Sequence, residues 1–305
     1  MSKLDTARLT QLATIIRLRS FSKAAELLGI SQPALSKSIR MLERELEVKL
    51  LERGRFGATP TAFGLSLARH ADAIDAELRT AIEEIDSLRR AQSGHVRIGC
   101  GPSEATRLLP LAMEHMRRKA PGIQATVHYG LNEALMPMVQ HGEVDLALSS
   151  IPVRSVEADL THILLHEDEA AIVVRSGHPL LARGRSSLQQ LLEHRWILAR
   201  PQELERRALD EMFLEADLQP PKADIETTSA VLMKSMTMLS DYLTFLPREL
   251  IYWEERSGQL VPLKILKPSW RRRVGLTLRS RGEMSPAAQV VIEMLKGAAR
   301  SFGRK

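Results

Sequence analysis

The sequence is poor in cysteine and in long apolar runs, and both shortages limit what the protein can be. Its one cysteine, Cys100, excludes an internal disulfide framework and agrees with a reducing compartment. It has no run of about 18 apolar residues, so neither a membrane-spanning helix nor a membrane partner is expected. The N-terminus lacks the apolar core of a signal peptide, and we therefore expect a cytoplasmic protein.

Residue patterns that carry catalysis or bind metals are also missing. The nine histidines show no metal-ligand spacing with a carboxylate or cysteine partner. Gly99-Cys100-Gly101 lacks the further glycines of a dinucleotide-binding loop, and no nucleophile elbow surrounds Ser103. We expect no catalytic residue, no metal and no cofactor. A lone thiol such as Cys100 more often packs in a core than performs redox chemistry.

Positive charge is concentrated near the N-terminus. Residues 1–62 hold eleven Lys and Arg against six Asp and Glu, and so carry +5 of the chain's net +6. A compact basic domain on a nearly neutral body favours binding of a polyanion, although a surface that is basic for solubility alone has the same charge. The length of 305 residues exceeds one ordinary core and predicts two or three domains.

Residues 22–42 predict two short helices joined by a tight turn, the pattern of a helix-turn-helix. Ser22 is suited to cap the first helix and Ser31 the second, and Gly29 lets the chain turn between them. The second helix tolerates Pro33 because first-turn amides have no partner within the helix. Its predicted buried stripe is Leu35, Ile39, Leu42 and Leu46, and its predicted outward residues are Gln32, Ser36, Lys37 and Arg40.

These outward residues have the chemistry that reads DNA in the major groove. A Gln can pair with adenine, Lys and Arg can reach guanine or phosphate, and Ser hydroxyls suit phosphate oxygens. Residues 51–61 predict a short β-hairpin, or wing, whose arginines would contact the DNA backbone. A three-helix bundle with ordinary solvated charges is the alternative. The predicted DNA-binding residues are Ser22, Ser31, Gln32, Pro33, Ser36, Lys37, Arg40, Arg53 and Arg55.

This N-terminal segment resembles the signature of LysR-type transcriptional regulators. The resemblance runs without a gap over about sixty residues, and two positions depart from it. The family usually has Gly at the position of Glu47 and Phe at that of Leu51. Both are turn or packing positions, so DNA binding is still expected. The matching residues are Ala24, Ala25, Leu28, 31–36, Ile39, Leu42, Glu43, 50–53 and 61–64.

A seven-residue apolar repeat follows Gly64. A narrow apolar seam in an otherwise charged helix is typical of a coiled coil, although a helix packed on its own domain is the alternative. The family resemblance also implies a long linker helix that dimerises. Such a dimer would hold the two helix-turn-helix domains at the separation of two DNA half-sites. The repeat consists of Leu67, Ala71, Ile74, Leu78, Ala81, Ile85 and Leu88.

The C-terminal part alternates short apolar segments with amphipathic ones, which predicts an α/β fold with a largely parallel sheet. Strands are expected near 96–99, 125–129, 145–148, 170–174, 196–198, 223–226, 243–247 and 274–278. Helices are expected from a start near 103 through 108–116, at 133–140, 187–192 and 205–215, from 229, and at 286–300.

The resemblance implies a type 2 periplasmic-binding-protein-like fold of two α/β lobes for the regulatory part. The matching stretches are weaker than those of the N-terminal part: 121–123, 142–147, 178–180, 246–247, Arg279 and 285–287. The expected architecture is an all-α winged helix-turn-helix domain at 1–62, a linker helix at 63–93 and an effector domain at 94–305. Lobe I covers about 95–168 and 270–300, and lobe II about 169–269.

An effector is expected in the cleft between these lobes. Ligands of such folds lie at the carboxyl ends of strands, against helix N-termini that favour anions. We expect a small anionic or polar effector, although for each candidate ordinary N-capping is individually the more common role. The candidate effector-binding residues are Ser103, Asn132, Arg200, Pro201 and Thr228.

The sequence therefore predicts a ligand-responsive transcriptional regulator. Its expected partners are double-stranded promoter DNA, a small effector and further copies of itself, as a dimer through the linker helix and a tetramer through the effector domains. RNA polymerase is a further partner that the resemblance allows. The alternative is a solute-binding or enzymatic α/β protein whose N-terminal domain is incidental, and that protein would show no salt-dependent affinity for duplex DNA.

Overall fold

The computed structural model describes residues 4–54, 57–89, 94–152, 159–265 and 270–302. Its first part is a small helical domain with a two-stranded hairpin, followed by one long helix. In the third helix Leu35, Ile39 and Leu42 are buried and Leu46 is half-buried, as the predicted stripe requires. The elements are α1 (Thr6–Leu18), α2 (Phe21–Leu27), α3 (Gln32–Leu46), β1 (Leu51–Gly54), β2 (Gly57–Pro60) and α4 (Ala62–Arg89).

The turn between α2 and α3 forms as predicted, but α2 begins earlier than expected. Gly29 has a φ of 66°, a left-handed conformation that glycine adopts without strain. The cap of α2 is Ser20, whose Oγ accepts a hydrogen bond from the backbone N–H of Lys23 at 3.3 Å. The prediction of Ser22 as the cap is wrong because the left-handed Arg19 ends α1 and leaves Ser20 extended directly before α2.

The long helix α4 has two different faces. One face packs on α1, where Ala68 and Ala71 are buried, and then on the effector domain, where Ala76 is buried beside Gly142. The opposite face exposes Ile74, Leu78, Ala81, Ile82 and Ile85, which we call the outer stripe. The residues of the predicted heptad therefore do not form one continuous exposed seam. Its early member Ala71 packs within its own chain, whereas its later members are exposed to solvent. The side chain of Leu88 lies outside the described part.

The strands of the C-terminal part are β3 (Gly94–Cys100), β4 (Ile123–Tyr129), β5 (Leu146–Ile151), β6 (Leu160–Arg175), β7 (Ile197–Leu198), β8 (Ile225–Glu226), β9 (Thr244–Pro247), β10 (Leu260–Pro262) and β11 (Trp270–Arg279). The main sheet is mixed and has the strand order β10-β6-β11-β5-β3-β4, with β9 also paired to β6, whereas β7 and β8 form a separate two-stranded sheet. Its α-helices are α5 (Leu108–Lys119), α6 (Asn132–Gln140), α7 (Leu188–Leu191), α8 (Leu204–Leu214), α9 (Ala230–Leu239), α10 (Tyr252–Arg256) and α11 (Pro286–Ala299). Single 3-10 turns cover Pro179–Arg183 and Arg248–Ile251.

The expectation of a largely parallel sheet is wrong. β3 pairs in parallel with β4 and β5, and β7 with β8, but β6 and β11 pair antiparallel with each other over their length. Strand β6 continues from lobe I into lobe II, where it also pairs antiparallel with β9 and β10. These two strands cross between the lobes, each lobe has its own apolar core, and the cleft lies beside the crossing. No helix in the described ranges is long and apolar enough to span a membrane.

Candidate DNA-binding surface and effector cleft

Helix α3 presents a polar row to solvent at the surface of the basic domain. It begins at Gln32, directly after Ser31, whose Oγ accepts a hydrogen bond from the backbone N–H of Ala34 at 3.3 Å. This confirms Ser31 as the cap and Pro33 as a first-turn residue. The side chains of the row, Gln32, Pro33, Lys37 and Arg40, are all exposed.

Ser36 does not belong to this row. It is only 7% exposed, and the prediction that it faces outward is wrong. On an α-helix a residue lies close to those three and four positions away, and Ser36 is three positions before the buried Ile39. Ser36 therefore packs at the edge of the apolar stripe.

Glu43 fastens α3 to the start of the hairpin. Its carboxylate accepts hydrogen bonds from the backbone N–H groups of Leu50 at 2.9 Å and Leu51 at 3.4 Å, and from Lys49 Nζ at 3.1 Å. Burial opposes ionisation of Glu43, but these bonds outweigh it and hold the pKa of Glu43 below its usual value. The orientation of the hairpin relative to α3 is thereby fixed.

The predicted wing is present as the antiparallel pair β1 and β2. Their register runs from Leu51 opposite Pro60 to Gly54 opposite Gly57. The backbone of Arg53 pairs with Ala58 in this hairpin. The side chain of Arg53 and all of Arg55, both predicted to contact DNA, lie outside the described residues.

Two adjoining cavities lie between the lobes of the C-terminal part. The outer cavity has a volume of about 420 Å³ and is lined at the carboxyl ends of β3, β4 and β5 by Gly101, Gly130 and Ser150. The inner cavity, of about 60 Å³, has a largely apolar wall in lobe II. A position beyond the carboxyl ends of strands is where open α/β sheets bind ligands. The apolar lining of the inner cavity includes Met233, Phe245, Leu246 and Leu250.

A buried ionic cluster centred on Arg272 forms the floor of the cleft. Arg272 Nε and Nη2 donate to Asp168 Oδ2 at 3.1 and 3.0 Å, and Nη2 also donates to Glu104 Oε1 at 2.9 Å. Its Nη1 donates to Ser150 Oγ at 3.0 Å and lies 3.7 Å from Glu205 Oε1. Burial raises the pKa of Glu104, and the positive charge of Arg272 opposes that rise. The cluster ties together β3, β5, β6 and β11 where they meet.

The sequence-predicted effector residues are only partly brought together. Ser103 and Thr228 line the inner cavity from opposite lobes, and Asn132 lines the outer one. Ser103 does not start a helix, because residues 102–107 form turns before α5. Asn132 is not a cap but the first residue of α6, and its Nδ2 donates to the carbonyl oxygen of Ser150 at 2.8 Å.

The other two candidates, Arg200 and Pro201, line neither of these cavities. Sequence reasoning missed the carboxylates of Glu203 and Glu205 and the guanidinium of Arg272, which line both. The available signal was the arginine run 271–273 directly before the predicted strand 274–278, and of these three only Arg272 is buried.

Cys100 is fully buried at the end of β3. Burial and the negative charge of Glu104 raise the pKa of its thiol well above the usual range. Because the reactive form of cysteine is the thiolate, this environment suits a packing role.

Comparison with protein-family models covers both parts of the chain. Residues 7–65 match the model described as "Bacterial regulatory helix-turn-helix protein, lysR family". Residues 89–300 match the "LysR substrate binding domain". The chain belongs to the LysR family of transcriptional regulators. It is thus a ligand-responsive, DNA-binding regulator, as expected, and not an enzyme.

Curated LysR-type relatives match over nearly the whole chain. The regulator PcaQ of Agrobacterium fabrum is 27% identical over 285 residues, which are 93% of this chain and 92% of that protein. The regulator GbpR of Azospirillum brasilense is 28% identical over 288 residues, covering 94% of this chain and 84% of that protein. This coverage means that both the DNA-binding and the effector-binding parts are shared.

Solved LysR-type structures share the complete fold. A full-length OxyR variant from Pseudomonas aeruginosa aligns with a TM-score of 0.67 at 19% identity, covering 98% of this chain and 96% of that one. Full-length CbnR in complex with its target DNA aligns with a TM-score of 0.62 at 16% identity, covering 97% and 100%. The expected fold class, a winged helix-turn-helix, a long linker helix and a two-lobed α/β effector domain, is confirmed.

Proposed function

We propose that α3 enters the major groove of promoter DNA and reads bases through Gln32, Lys37 and Arg40. The observation that carries this assignment is the exposed polar row on α3 in a domain that holds +5 of the chain's charge. The start of α3, with Ser31 and Pro33, would lie against a phosphate, which suits the hydroxyl of Ser31 and the first-turn backbone N–H of Gln32. Phosphate contacts are assigned to Ser22, which is exposed in the first turn of α2, and to the wing residues Arg53 and Arg55.

Two copies pair through the outer stripe of α4, and the effector domains join dimers into a tetramer. Support comes from the row of exposed apolar side chains on α4, since exposed apolar patches of this kind mark interaction surfaces. The functional divisions are the DNA-binding domain at 1–62, the linker at 63–93 and the effector domain at 94–305. A bacterial regulator that binds promoter DNA must be in the same compartment as that DNA. We therefore assign this regulator to the cytoplasm.

The effector is a small polar molecule held between the lobes, with Ser103, Asn132 and Thr228 as contacts. Ser103 is only 3% exposed and lines the inner cavity. Arg200 and Pro201 are assigned a supporting role beside the effector site. Arg200 Nη2 donates a hydrogen bond of 3.1 Å to Oε1 of the cleft residue Glu203. Closure of the lobes about β6 and β11 would change the relative position of the two DNA-binding domains in the dimer. This change would alter the bending of the bound DNA.

The DNA assignment is tested by measuring affinity for the operator and for random duplex DNA over a range of salt concentrations. Affinity should fall steeply with salt, and operator binding should exceed random binding by ~10³ or more. Gln32→Ala should weaken operator binding and relax its base preference, whereas Arg53→Ala should weaken binding to all sequences alike. Equal losses on operator and random DNA for both variants would contradict the groove assignment.

The effector assignment is tested by calorimetry on the full chain with compounds that raise its melting temperature, since a ligand of the native state stabilises it by mass action. Ser103→Ala should lower the affinity for such a compound. An unchanged binding heat and an unchanged effect on DNA affinity would remove Ser103 from the site.

A further inference from the structure

The inner end of the effector cleft is rich in buried carboxylates. Glu203 is 4% exposed and lines both cavities. Its Oε1 accepts one hydrogen bond, from Arg200, and its Oε2 accepts none from the described chain. Burial raises the pKa of Glu203, and the charges of Glu133 and Glu205 add to this effect against the hydrogen bond from Arg200. A ligand in the cleft would therefore meet a carboxylate with unused acceptor capacity.

The buried guanidinium of Arg272 has little hydrogen-bonding capacity left for an anionic ligand. Four of the five N–H groups of Arg272 can be assigned to its hydrogen bonds with Asp168, Glu104 and Ser150. The remaining N–H lies on Nη1, which is 3.7 Å from Glu205 Oε1. An anionic group near Arg272 would have to displace carboxylates that already hold it.

The other arginines of the outer cavity lie toward its mouth. The side chain of Arg271 is 73% exposed and lies 3.7 Å from Glu167, and Arg207 is also exposed. Arg273 Nη1 donates to the carbonyl oxygen of Pro152 at 3.1 Å. Charges in solvent interact weakly with a ligand because water and salt screen them, whereas buried charges are screened much less.

The charge balance at the inner wall therefore favours a cation. Within the described part of the chain, Arg272 is the one guanidinium buried there, and it faces an excess of carboxylates. Ser103, only 3% exposed, adds a hydroxyl that can accept a hydrogen bond from a donor group. The apolar wall opposite can cover a hydrocarbon body. Glu203 and Glu205 line the inner cavity, Glu104 lines the outer one, and Asp168 holds Arg272 from outside both cavities.

We propose that the effector is an amine, with its ammonium group between Glu203, Glu205 and Ser103. Its apolar body would start against Phe245 and Met233 and extend into the adjoining outer cavity, since the inner cavity alone is too small to hold it. This inference rests on the proposed function, that the cleft holds the effector, and it narrows the anionic or polar effector expected from the sequence to a cationic one. An ammonium group offers three donors, enough for two carboxylates and one hydroxyl. The two lobes would be drawn together, because Ser103 lies in lobe I and both glutamates lie in lobe II.

The test uses matched compounds that differ only in the charged group. Phenethylamine, 2-phenylethanol and 3-phenylpropionate form one set, and hexylamine, 1-hexanol and hexanoate form a second. Each is titrated into the full-length protein at pH 7, where the amines are protonated, and followed by thermal shift and calorimetry. At least one amine should raise the melting temperature and bind at least tenfold more tightly than its alcohol, and its carboxylate should bind more weakly still.

Variants identify the groups responsible. Glu203→Gln and Glu205→Gln should each lower the amine affinity at least tenfold, and two variants are used so that one failure to fold does not remove the test. Glu211→Gln is the matched control, since Glu211 is an exposed carboxylate on the same helix α8 as Glu205 and lines neither cavity, and it should change the affinity less than twofold.

The proposal is overturned if no amine binds, if a carboxylate binds more tightly than its matched amine, or if Glu211→Gln has the same effect as Glu203→Gln. Binding of a carboxylate that Ser103→Ala abolishes would leave the cleft as the effector site and reject only the amine. Operator binding without any compound is measured in parallel, so that failure of the regulator assignment is seen separately.

Discussion

Arg17 Nη1 lies 3.5 Å from Glu143 Oε1, and this pair joins the DNA-binding domain to the effector domain of the same chain. Arg17 is in the last turn of α1, and Glu143 follows α6. Nearby, Arg79 Nη2 of the linker helix donates to the carbonyl oxygen of Gly142 at 2.6 Å. Helix α6 begins at Asn132 in the effector cleft and ends beside these contacts. This one short helix therefore connects the cleft with the DNA-binding domain.

Removal of the Glu143 carboxylate should loosen this contact without unfolding either domain. Glu143→Ala should speed hydrogen exchange at residues 15–19 and 140–144, while global stability changes by less than ~1 kcal/mol, because partly exposed ion pairs contribute little. The control is Glu114→Ala, an exposed carboxylate paired with Arg117 and Arg118 on its own helix. Unchanged exchange at the end of α1 in Glu143→Ala would show that the pair does not hold the domains together.

The same contact contains a buried carboxylate whose ionisation depends on pH. Asp72 lies 3.7 Å from His141 Nε2 and 3.6 Å from Arg17 Nη2. Burial raises the pKa of Asp72 despite these two partners, with Asp75 and Glu143 adding to the rise. The folded state therefore binds this proton more tightly than the unfolded state, so the contribution of Asp72 to stability falls as pH rises from its unfolded pKa to its folded one.

Asp72→Asn removes this titration. The free energy of unfolding of the variant, relative to that of the wild type, should increase as the pH is raised from about 4 through the folded pKa of Asp72. Urea unfolding at a series of pH values measures the difference. A difference that stays constant or decreases over this range would mean that the ion pairs with Arg17 and His141 outweigh burial.

Glu47 is in a conformation that glycine adopts at lower cost. It ends α3 with a φ of 56°, in the left-handed region that favours glycine at helix ends. Glu47→Gly should stabilise the local structure by ~1 kcal/mol and slow hydrogen exchange in α3. Arg44→Gly, inside the same helix, should lower stability by ~1 kcal/mol. Similar effects from both variants would show that backbone conformation does not decide the outcome.

Local signals in the sequence were sufficient for much of this fold. The caps Ser31, Ser187, Ser229 and Ser285 each accept a backbone N–H at the start of the predicted helix. The choice between Ser20 and Ser22 was not determined locally, because both are good caps and the end of α1 selects between them. Likewise, a heptad repeat has the same period whether its partner is another chain or the same one, so the division of α4 into two faces could not be foreseen.

Most of the candidate effector site depended on contacts between distant parts of the chain. Arg272 meets Glu104, 168 residues earlier, and Asp168, 104 residues earlier. Neither pairing leaves a periodic trace in the sequence. The sequence predicts only 170–174 of strand β6, because the charged run 167–169 precedes that segment and residues 160–167 do not alternate between buried and exposed positions. The predicted strand ends locate the cleft, but the sequence does not predict the charge of the side chains that line it.

The Arg272 cluster should be essential to the stability of the effector domain. Arg272→Met leaves the buried carboxylates of Glu104 and Asp168 without their partner, which should cost about 3–5 kcal/mol. Adding Glu104→Gln and Asp168→Asn should restore a large part of this loss, because the uncompensated charges are gone. Urea unfolding followed by the fluorescence of Trp196 and Trp270 measures both steps. No recovery in the triple variant would mean that packing of Arg272, rather than charge, stabilises the domain.

The outer stripe of α4 should decide the oligomeric state. Leu78 is 53% exposed and Ile85 52% exposed in the single chain, and burial of such a side chain between two copies contributes about 1.5–3 kcal/mol. Leu78→Asp should therefore raise the dissociation constant of the dimer by at least tenfold, as measured by sedimentation equilibrium, and should lower operator affinity because two linked heads bind together. Ala73→Asp introduces the same charge at an exposed position of α4 outside the stripe and should leave the dimer intact. A dimer that withstands Leu78→Asp but not Ala73→Asp would mean that a different face of α4 forms the interface.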